Sequence, residues 1–390
     1  MTNVYLPKPF PQCPFCWGCN GNHKKSYPSK QIALEQAAVS ERKRDCRLHV
    51  YPCRWQSLVY HLTKSRPEIP PNYQGGYGEE TYPIGSEKIE KIKWDFDSGI
   101  RNIDRLCNID GEVVLNWHVL ETCNFACKYC YAEWGNVPPL NRESSKQLLE
   151  EIAQLGKSLG KPIRLSFAGG EPLLDPYLGF KIETACDLGL SVSLITNGYD
   201  LSEEFMRTHA RRLDVIGISI DSFDDTANQE IGRAMDTELL SVKDLKAVLK
   251  LGKEINNDLK VKVNTVVNRY NWKQDMRKEI ADFGVDKWKI LRVLGSTAKS
   301  KLEEILDAQF KGFCERHKNV VNVRDVKIED NSLMKHSYLM INPGGCFFSN
   351  SETKFEKQED YLYSESILKV GIFKALEQIS FDDKSYQGRY

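Results

Sequence analysis

Cys123-Asn-Phe-Ala-Cys127-Lys-Tyr-Cys130 is the stretch on which the reading of this chain turns. Cysteines at this Cys-x3-Cys-x2-Cys spacing can ligate three irons of a [4Fe–4S] cluster and leave the fourth without a protein ligand. Four cysteines saturate a cluster and suit it to carrying electrons, whereas an open iron can bind and activate a small molecule. A bare triplet also fits half a zinc site or coincidence. The aromatic Tyr131 that follows, and the motifs downstream, weigh against both.

The flanking pattern places the triplet on a fold. Val113–Leu120 reads as a strand running into it. Further strands are expected at Ile163–Phe167, Val192–Thr196, Val215–Ile220, Lys260–Val267 and Lys287–Leu294. Helices are expected between them, at Lys146–Leu159, Leu178–Leu188, Ser202–Leu213 and Ser241–Ile255; Leu149, Ile152 and Leu155 space the apolar face of the first. Strand–helix alternation calls for a parallel sheet, and six units suit a partial (β/α)6 barrel. Ligands gather at the C-terminal ends of such strands.

Short polar motifs fall at those ends. Strand two is followed by Ala168-Gly169-Gly170-Glu171-Pro172, strand three by Thr196-Asn197-Gly198, and strand four runs into Ser219-Ile-Asp221-Ser222. Glycines let backbone approach a ligand closely, and a carboxylate accepts from an ammonium. Ile231-Gly232-Arg233 adds a cation suited to a carboxylate. Each motif alone is weak; their order on successive units after a cysteine triplet is specific.

In that order they resemble the core of radical S-adenosylmethionine (SAM) enzymes, and the details resemble viperin and its prokaryotic relatives. Asn116-Trp-His-Val, Cys123–Tyr131, Ser166-Phe-Ala-Gly-Gly-Glu-Pro172, Ile218-Ser-Ile-Asp-Ser-Phe223, Ile231-Gly-Arg233, Lys262-Val-Asn-Thr-Val-Val-Asn268 and Trp288-Lys289 carry the resemblance. It continues through His336-Ser-Tyr338-Leu to Phe381-Asp-Asp-Lys. The resemblance implies cluster ligation by Cys123, Cys127 and Cys130, and SAM binding by Tyr131, Gly169, Gly170, Glu171, Asn197, Ser219 and Arg233. It implies dehydration of a nucleoside triphosphate, CTP first with UTP or GTP as alternatives, to a 3′-deoxy-3′,4′-didehydro nucleotide that terminates viral RNA synthesis. A flavodoxin- or ferredoxin-like electron donor and Mg2+ carried with the triphosphate go with that expectation.

A triphosphate brings about four negative charges into the barrel and calls for several cations and donors. Lys262, Lys289 and Arg389, with Asn264 and Asn116 as added donors, match the family pattern. Alternation along Lys262-Val-Asn264 puts that lysine and asparagine on one face. Tyr338 matches a tyrosine near the ribose that supplies the final hydrogen; His118 is a further lining residue on strand one. Two departures bear on base preference. Arg164 and Ser166 stand where animal viperins have Lys and Asn, and Lys287 stands where they have Arg.

Residues 1–66 form a separate Cys-rich, basic and aromatic block. Cys16, Cys19, Cys53 and His61, with Cys13 and Cys46 as substitutes, suit a closed tetrahedral zinc site in a zinc-ribbon-like module. This module is expected to contact a protein or a nucleic acid. A Pro/Gly-rich stretch, 67–110, reads as a linker or wrapping arm, residues 111–300 as the barrel, and 301–390 as a cap that completes the site.

Composition sets bounds. Of 390 residues 41% are hydrophobic and 28% charged, ordinary for a globular protein, and 54 basic residues balance 54 acidic ones. Bulk electrostatic attraction to nucleic acid or an anionic membrane is therefore not expected. Neither a membrane span nor a signal-peptide or amphipathic anchor is read from MTNVYLPKPF or elsewhere, and the cysteines cluster at metal-ligand spacing, so a reducing cytoplasm is expected. Two other classes compete: a radical SAM enzyme acting on a peptide or another small molecule, and a zinc-dependent adaptor with a vestigial barrel. Only Cys314 and Cys346 lie past residue 300, too few for an auxiliary cluster, and the intact triplet argues against the adaptor.

Overall fold

The structure is a computed structural model. It describes residues 102–130, 137, 139–295, 298–331, 337–350, 361–379 and 381–387, together with the backbone of four N-terminal strands. Two compact units divide the chain, Met1–Asp95 and Phe96–Tyr390. In the first, β1 (Phe10–Trp17) pairs antiparallel with β2 (His23–Ser26), and β3 (His49–Pro52) with β4 (Tyr60–Thr63). Cys16 lies on β1 and His61 on β4. Cys19, Cys53 and Cys46 lie outside the described residues, so the expected zinc set is described only in the backbone of Cys16 and His61.

The second unit is built on β5 (Val113–His118), β6 (Ile163–Ala168), β7 (Ser191–Thr196), β8 (Val215–Ser219), a two-residue hairpin of β9 (Ala234–Met235) and β10 (Glu238–Leu239), β11 (Lys260–Val267), β12 (Lys287–Arg292) and β13 (Asp325–Glu329). These are followed by β14 (Leu339–Ile341), β15 (Cys346–Asn350) and β16 (Tyr361–Ser366). All six strands expected from the alternation are present, with no end off by more than two residues. The sheet order is β13-β12-β11-β8-β7-β6-β5-β14-β15-β16; it is parallel from β13 through β14, and the last two strands add antiparallel.

Helices cover one face. The helix Arg142–Leu159 starts four residues before its expected position because Asn141 caps it, its side chain accepting from Ser144 N, and Gly160 ends it in the left-handed conformation. Leu148, Leu149, Ile152 and Leu155 bury its apolar stripe. Ser202, Asp224 and Ser241 cap later helices in the same way. Below them, Leu115, Trp117, Leu165, Phe167, Leu194, Ile216, Ile218, Val261, Val263, Trp288 and Ile290 make the core. Segment 301–390, read from the sequence as a cap, adds a seventh parallel strand (β13) at one edge and three strands at the other.

The opposite face is polar. Parallel register aligns Asn116 with Ser166 and Ser166 with Ser193, and on the far side Ser219 with Asn264 and Asn264 with Lys289. This face is concave. Lys289 on β12 and Tyr338, just before β14, are six sheet positions apart, about 29 Å if the sheet were flat. Yet Lys289 Nζ lies 3.2 Å from the Tyr338 hydroxyl, so the sheet curls until its two halves meet.

Candidate functional site

Backbone, more than side chain, shapes the cysteine loop. Beyond β5 and β6 the ladder continues irregularly: Val119 N donates to Ala168 O (3.0 Å), Gly170 N to Leu120 O (2.9 Å) and Glu171 N to Thr122 O (2.8 Å). A Cβ on Gly169, at φ 130, would lie 2.4 Å from Leu120 O, and one on Gly170 would lie 1.9 Å from Thr122 O. The close partner of both glycines is thus the chain leading into Cys123. On its other side the loop is tied by Ala126 N to Gly232 O (3.1 Å) and Lys128 N to Ile231 O (2.8 Å). Gly232 is left-handed, and a Cβ there would meet Ala126 O at 2.5 Å.

Glu171 is fully buried. Its carboxylate accepts from the Thr196 hydroxyl (2.6 Å), Asn197 N (2.7 Å) and Leu173 N (3.1 Å). It thereby ties the ends of β6 and β7 together and keeps capacity for one further donor. Burial raises its pKa to about 7 against these hydrogen bonds. Asn197 Oδ1 accepts from Tyr199 N (2.9 Å), while its Nδ2 reaches Asn124 Oδ1 (2.6 Å) and lies 3.9 Å from Cys123 Sγ.

Arg233 stands under the loop. Its guanidinium lies 3.3 Å from Asp221 Oδ2 and 3.2 Å from the Tyr129 hydroxyl, donates to Ser219 O, and sits over the Phe125 ring. The Tyr129 hydroxyl donates to the same Asp221 oxygen, and Asp221 Oδ1 accepts from Val266 N (2.8 Å). Burial opposes the arginine's charge, but Asp221 beside it raises its pKa all the same. Both Tyr129 and Phe125 lie within the cysteine triplet, so this buried ion pair fixes the loop from beneath. Residue-by-residue reading named Arg233 for a ligand carboxylate; the structure engages it with Asp221, Tyr129 and Ser219. Asn124, Phe125 and Tyr129 were missed, although their place between the cysteines was a signal.

Cys123, Cys127 and Cys130 are half-buried and free of disulfides. Burial pushes Cys123 up to about 12 and Cys127 up to about 11, and the thiols sense one another's charge. Neighbouring thiols that burial keeps protonated fit a cationic iron–sulfur cluster, which would draw them to thiolates. Among the described residues no three His, Cys, Asp or Glu side chains converge as for a single metal ion; cluster cysteines each take a separate iron and need not do so. Tyr131 lies outside the described residues.

Deeper along the concave face lies a basic group. Arg164 pairs with Glu112 at 2.8 Å and Lys287 with Asp325 at 3.2 Å. Lys289, 5% exposed, pairs with Glu329, 4% exposed, and donates to the Tyr338 hydroxyl, which itself donates to Glu329 Oε2 at 3.1 Å. Lys262 has no ion pair among the described residues. Burial, then Lys289 and Lys287, push its pKa well down. Asn264 and Ser219 are its neighbours along the face. Asn116 donates weakly to Leu339 O at 3.4 Å. His118 is buried edge-on to Phe348 and held neutral, its pKa lowered to about 4 by burial. The sequence reading missed Glu329. Polar residues at alternate positions in Asp325-Val-Lys-Ile-Glu329 were the available signal.

Arg389 lies outside the described residues. Tyr386, three residues earlier, is fully buried; its hydroxyl accepts from Val114 N and donates to Val114 O (3.1 Å). Gln387 Nε2 donates to Asp110 at 2.8 Å. The tail is therefore anchored at the N-terminal end of β5, away from the cysteine loop.

Residues 117–284 match the model of the Radical SAM superfamily. Proteins named S-adenosylmethionine-dependent nucleotide dehydratase are similar over most of their length. That of Fibrobacter sp. (strain UWH6) is 34% identical over 308 residues, covering 71% of this chain and 88% of its own. That of Pseudoalteromonas ulvae is 36% identical over 297 residues, covering 72% and 93%. One from Oncorhynchus mykiss is 31% identical over 297 residues, covering 70% and 78%. Among solved structures, native anSMEcpe with bound AdoMet and Kp18Cys peptide superposes with TM-score 0.53 at 15% identity, covering 71% of this chain and 84% of that one. Streptococcus suis SuiB bound to S-adenosylmethionine gives 0.51 at 16%, covering 73% and 69%. At these identities the structural likeness establishes the fold. No helix among the described residues is long and apolar enough to cross a membrane.

Proposed function

The chain belongs to the viperin family of radical SAM nucleotide dehydratases, and from that membership we propose that it dehydrates the ribose of a nucleoside triphosphate. CTP is the first candidate, UTP or GTP the alternatives, and the product is a 3′-deoxy-3′,4′-didehydro nucleotide that terminates viral RNA synthesis. One observation carries the reading: the concave face aligns Asn264 with Lys289, sets Lys262 on the same face of β11, and brings Lys289 to the Tyr338 hydroxyl.

Cys123, Cys127 and Cys130 would hold the cluster. Gly169, Gly170, Glu171, Asn197, Ser219, Arg233 and Tyr131 would frame the SAM site. When bound, cluster and SAM supply a 5′-deoxyadenosyl radical able to remove the ribose 4′-hydrogen. The protein's part is to place and shield the ribose. Lys262 and Lys289 bind phosphate oxygens, Asn264 and Asn116 donate to the nucleotide, and Arg389 is a further cation from the tail. Lys262, discouraged from charging by burial and by its lysine neighbours, gains its counter-charge from the triphosphate. Tyr338 faces the reacting ribose and supplies the final reducing equivalent. Segment 301–390 completes the site through Tyr338. Mg2+ accompanies the triphosphate, and a flavodoxin- or ferredoxin-like donor supplies electrons. Cys16, Cys19 and Cys53 of the N-terminal unit, with His61, hold a zinc ion, and a zinc-free folded protein would refute that assignment.

The reading is tested by anaerobic incubation of the reconstituted protein with SAM, a reductant and each nucleoside triphosphate in turn. One triphosphate should strongly stimulate 5′-deoxyadenosine release. Stimulation by none of them would refute it.

A further inference from the structure

Glu329 has no place in the binding scheme above, and a buried carboxylate beside an anion site calls for an explanation. Taking such a group out of water costs several kcal/mol unless partners repay it. Among its partners are Lys289, as an ion pair, and the Tyr338 hydroxyl, which donates to Oε2 at 3.1 Å. Lys289 Nζ in turn donates to the Tyr338 oxygen at 3.2 Å, so two hydrogen bonds and an ion pair join three groups from β12, the end of β13 and the approach to β14. The lysine ammonium pairs with the carboxylate, and the carboxylate fixes the tyrosine O–H. A phenol held this way can lose its electron and its proton together, because the acceptor for the proton is already in place.

Resting on the dehydratase reading, we propose that Glu329 is a positioning residue that takes the proton of Tyr338 when the tyrosine gives up an electron. The step balances as follows. The ribose has lost its 4′-hydrogen atom to the adenosyl group and its 3′-oxygen as hydroxide, which solvent protonates to water. It is one electron short of a C3′–C4′ double bond. Tyr338 supplies that electron; its O–H bond breaks, the proton passes to Glu329 Oε2, and a neutral phenoxyl radical remains. An external one-electron reductant later reduces the phenoxyl, and Glu329 returns the proton.

The test compares Glu329→Gln, Glu329→Asp, Tyr338→Phe and the double variant Glu329→Gln/Tyr338→Phe in the reconstituted enzyme with the best triphosphate substrate. Amide in place of carboxylate should lower the yield of dehydrated nucleotide per 5′-deoxyadenosine about a hundredfold, within the range of a lost proton acceptor. Glu329→Asp should restore part of that yield, and the double variant should be no worse than Tyr338→Phe. Two readouts lie outside turnover. The triphosphate should bind Glu329→Gln at least as tightly as wild type, because a negative charge beside it is gone. Rapid freeze-quench EPR should show a tyrosyl radical in wild type that is absent from Glu329→Gln. Weaker triphosphate binding, an unchanged product yield, an additive double variant, or failure of both Glu329 variants to fold would overturn the inference. If no triphosphate stimulates the wild type, the dehydratase reading itself has failed; if the wild type turns over and Glu329→Gln matches it, only the role of Glu329 has.

Discussion

The two ends of the concave face are built on opposite electrostatic plans. At the cysteine end nearly every polar group is matched: Glu171 has three donors, and Arg233 has Asp221, Tyr129 and Ser219. At the lysine end positive charge is in excess. Lys262 sits among Lys287 and Lys289 with its charged form disfavoured, and Glu329 is committed to Lys289 and Tyr338. A matched network holds geometry and is intolerant of change. An unmatched charge weakens the free protein and strengthens its grip on an anion.

The largest expected effect breaks the cysteine end. Cys127→Ala should abolish 5′-deoxyadenosine formation and strip the iron, read by metal analysis and visible absorbance, because two thiolates cannot hold the cluster. Next is Gly170→Ala. A methyl 1.9 Å from Thr122 O must push the loop away, at a cost of about 1–3 kcal/mol or more. A lower melting temperature together with weakened SAM binding is expected, and unchanged SAM affinity would show that the close approach is incidental.

Lys262→Met should separate the two plans. Triphosphate KM should rise about 10- to 100-fold, the loss of one charge-assisted contact of about 1.5–3 kcal/mol. SAM affinity should hold, and the nucleotide-free protein should melt higher. The sign follows from linkage. A lysine whose folded pKa lies below its unfolded value binds fewer protons when folded, so stability rises with pH across that window. Lys262→Met should flatten the rise, measured as unfolding free energy against pH on the alkaline side.

Glu171 gives a contrary slope. Its folded pKa, raised to about 7, means the folded state holds the proton more tightly; stability is greatest below the ordinary glutamate value and falls as pH climbs toward 7. Glu171→Gln should remove that fall and misalign Thr196 and Asn197. The smallest effect is expected from Lys287→Ala, whose partner Asp325 is exposed; at about 0–1 kcal/mol for such a pair, KM should change only a few-fold.

How much of this was legible in the sequence follows the same divide. The cysteine end could be read because its chemistry lies in short strings: the triplet, Gly169-Gly170-Glu171 and Asn197. Lys262 and Asn264 could be read because strand alternation fixes a shared face. What escaped reading is the closure. Glu329 meets Lys289 and Tyr338 only because the sheet curls, and Arg233 meets Asp221 and Tyr129 only because a helix end at Gly232 is stitched to the cysteine loop. Pairings between distant segments leave no local periodicity. The helix start at Arg142 escaped for a smaller reason, since Asn141 as cap outweighed the apolar spacing that suggested Lys146.

The central claim is that the radical formed at the cysteine end attacks a ribose held at the lysine end. Turnover of each nucleoside triphosphate carrying deuterium at the ribose 4′ position, with mass spectrometry of the released 5′-deoxyadenosine, tests it directly. Deuterium from one substrate should appear in the 5′-deoxyadenosine, alongside a didehydro nucleotide that has lost it. 5′-Deoxyadenosine that carries no deuterium from any triphosphate would contradict the account.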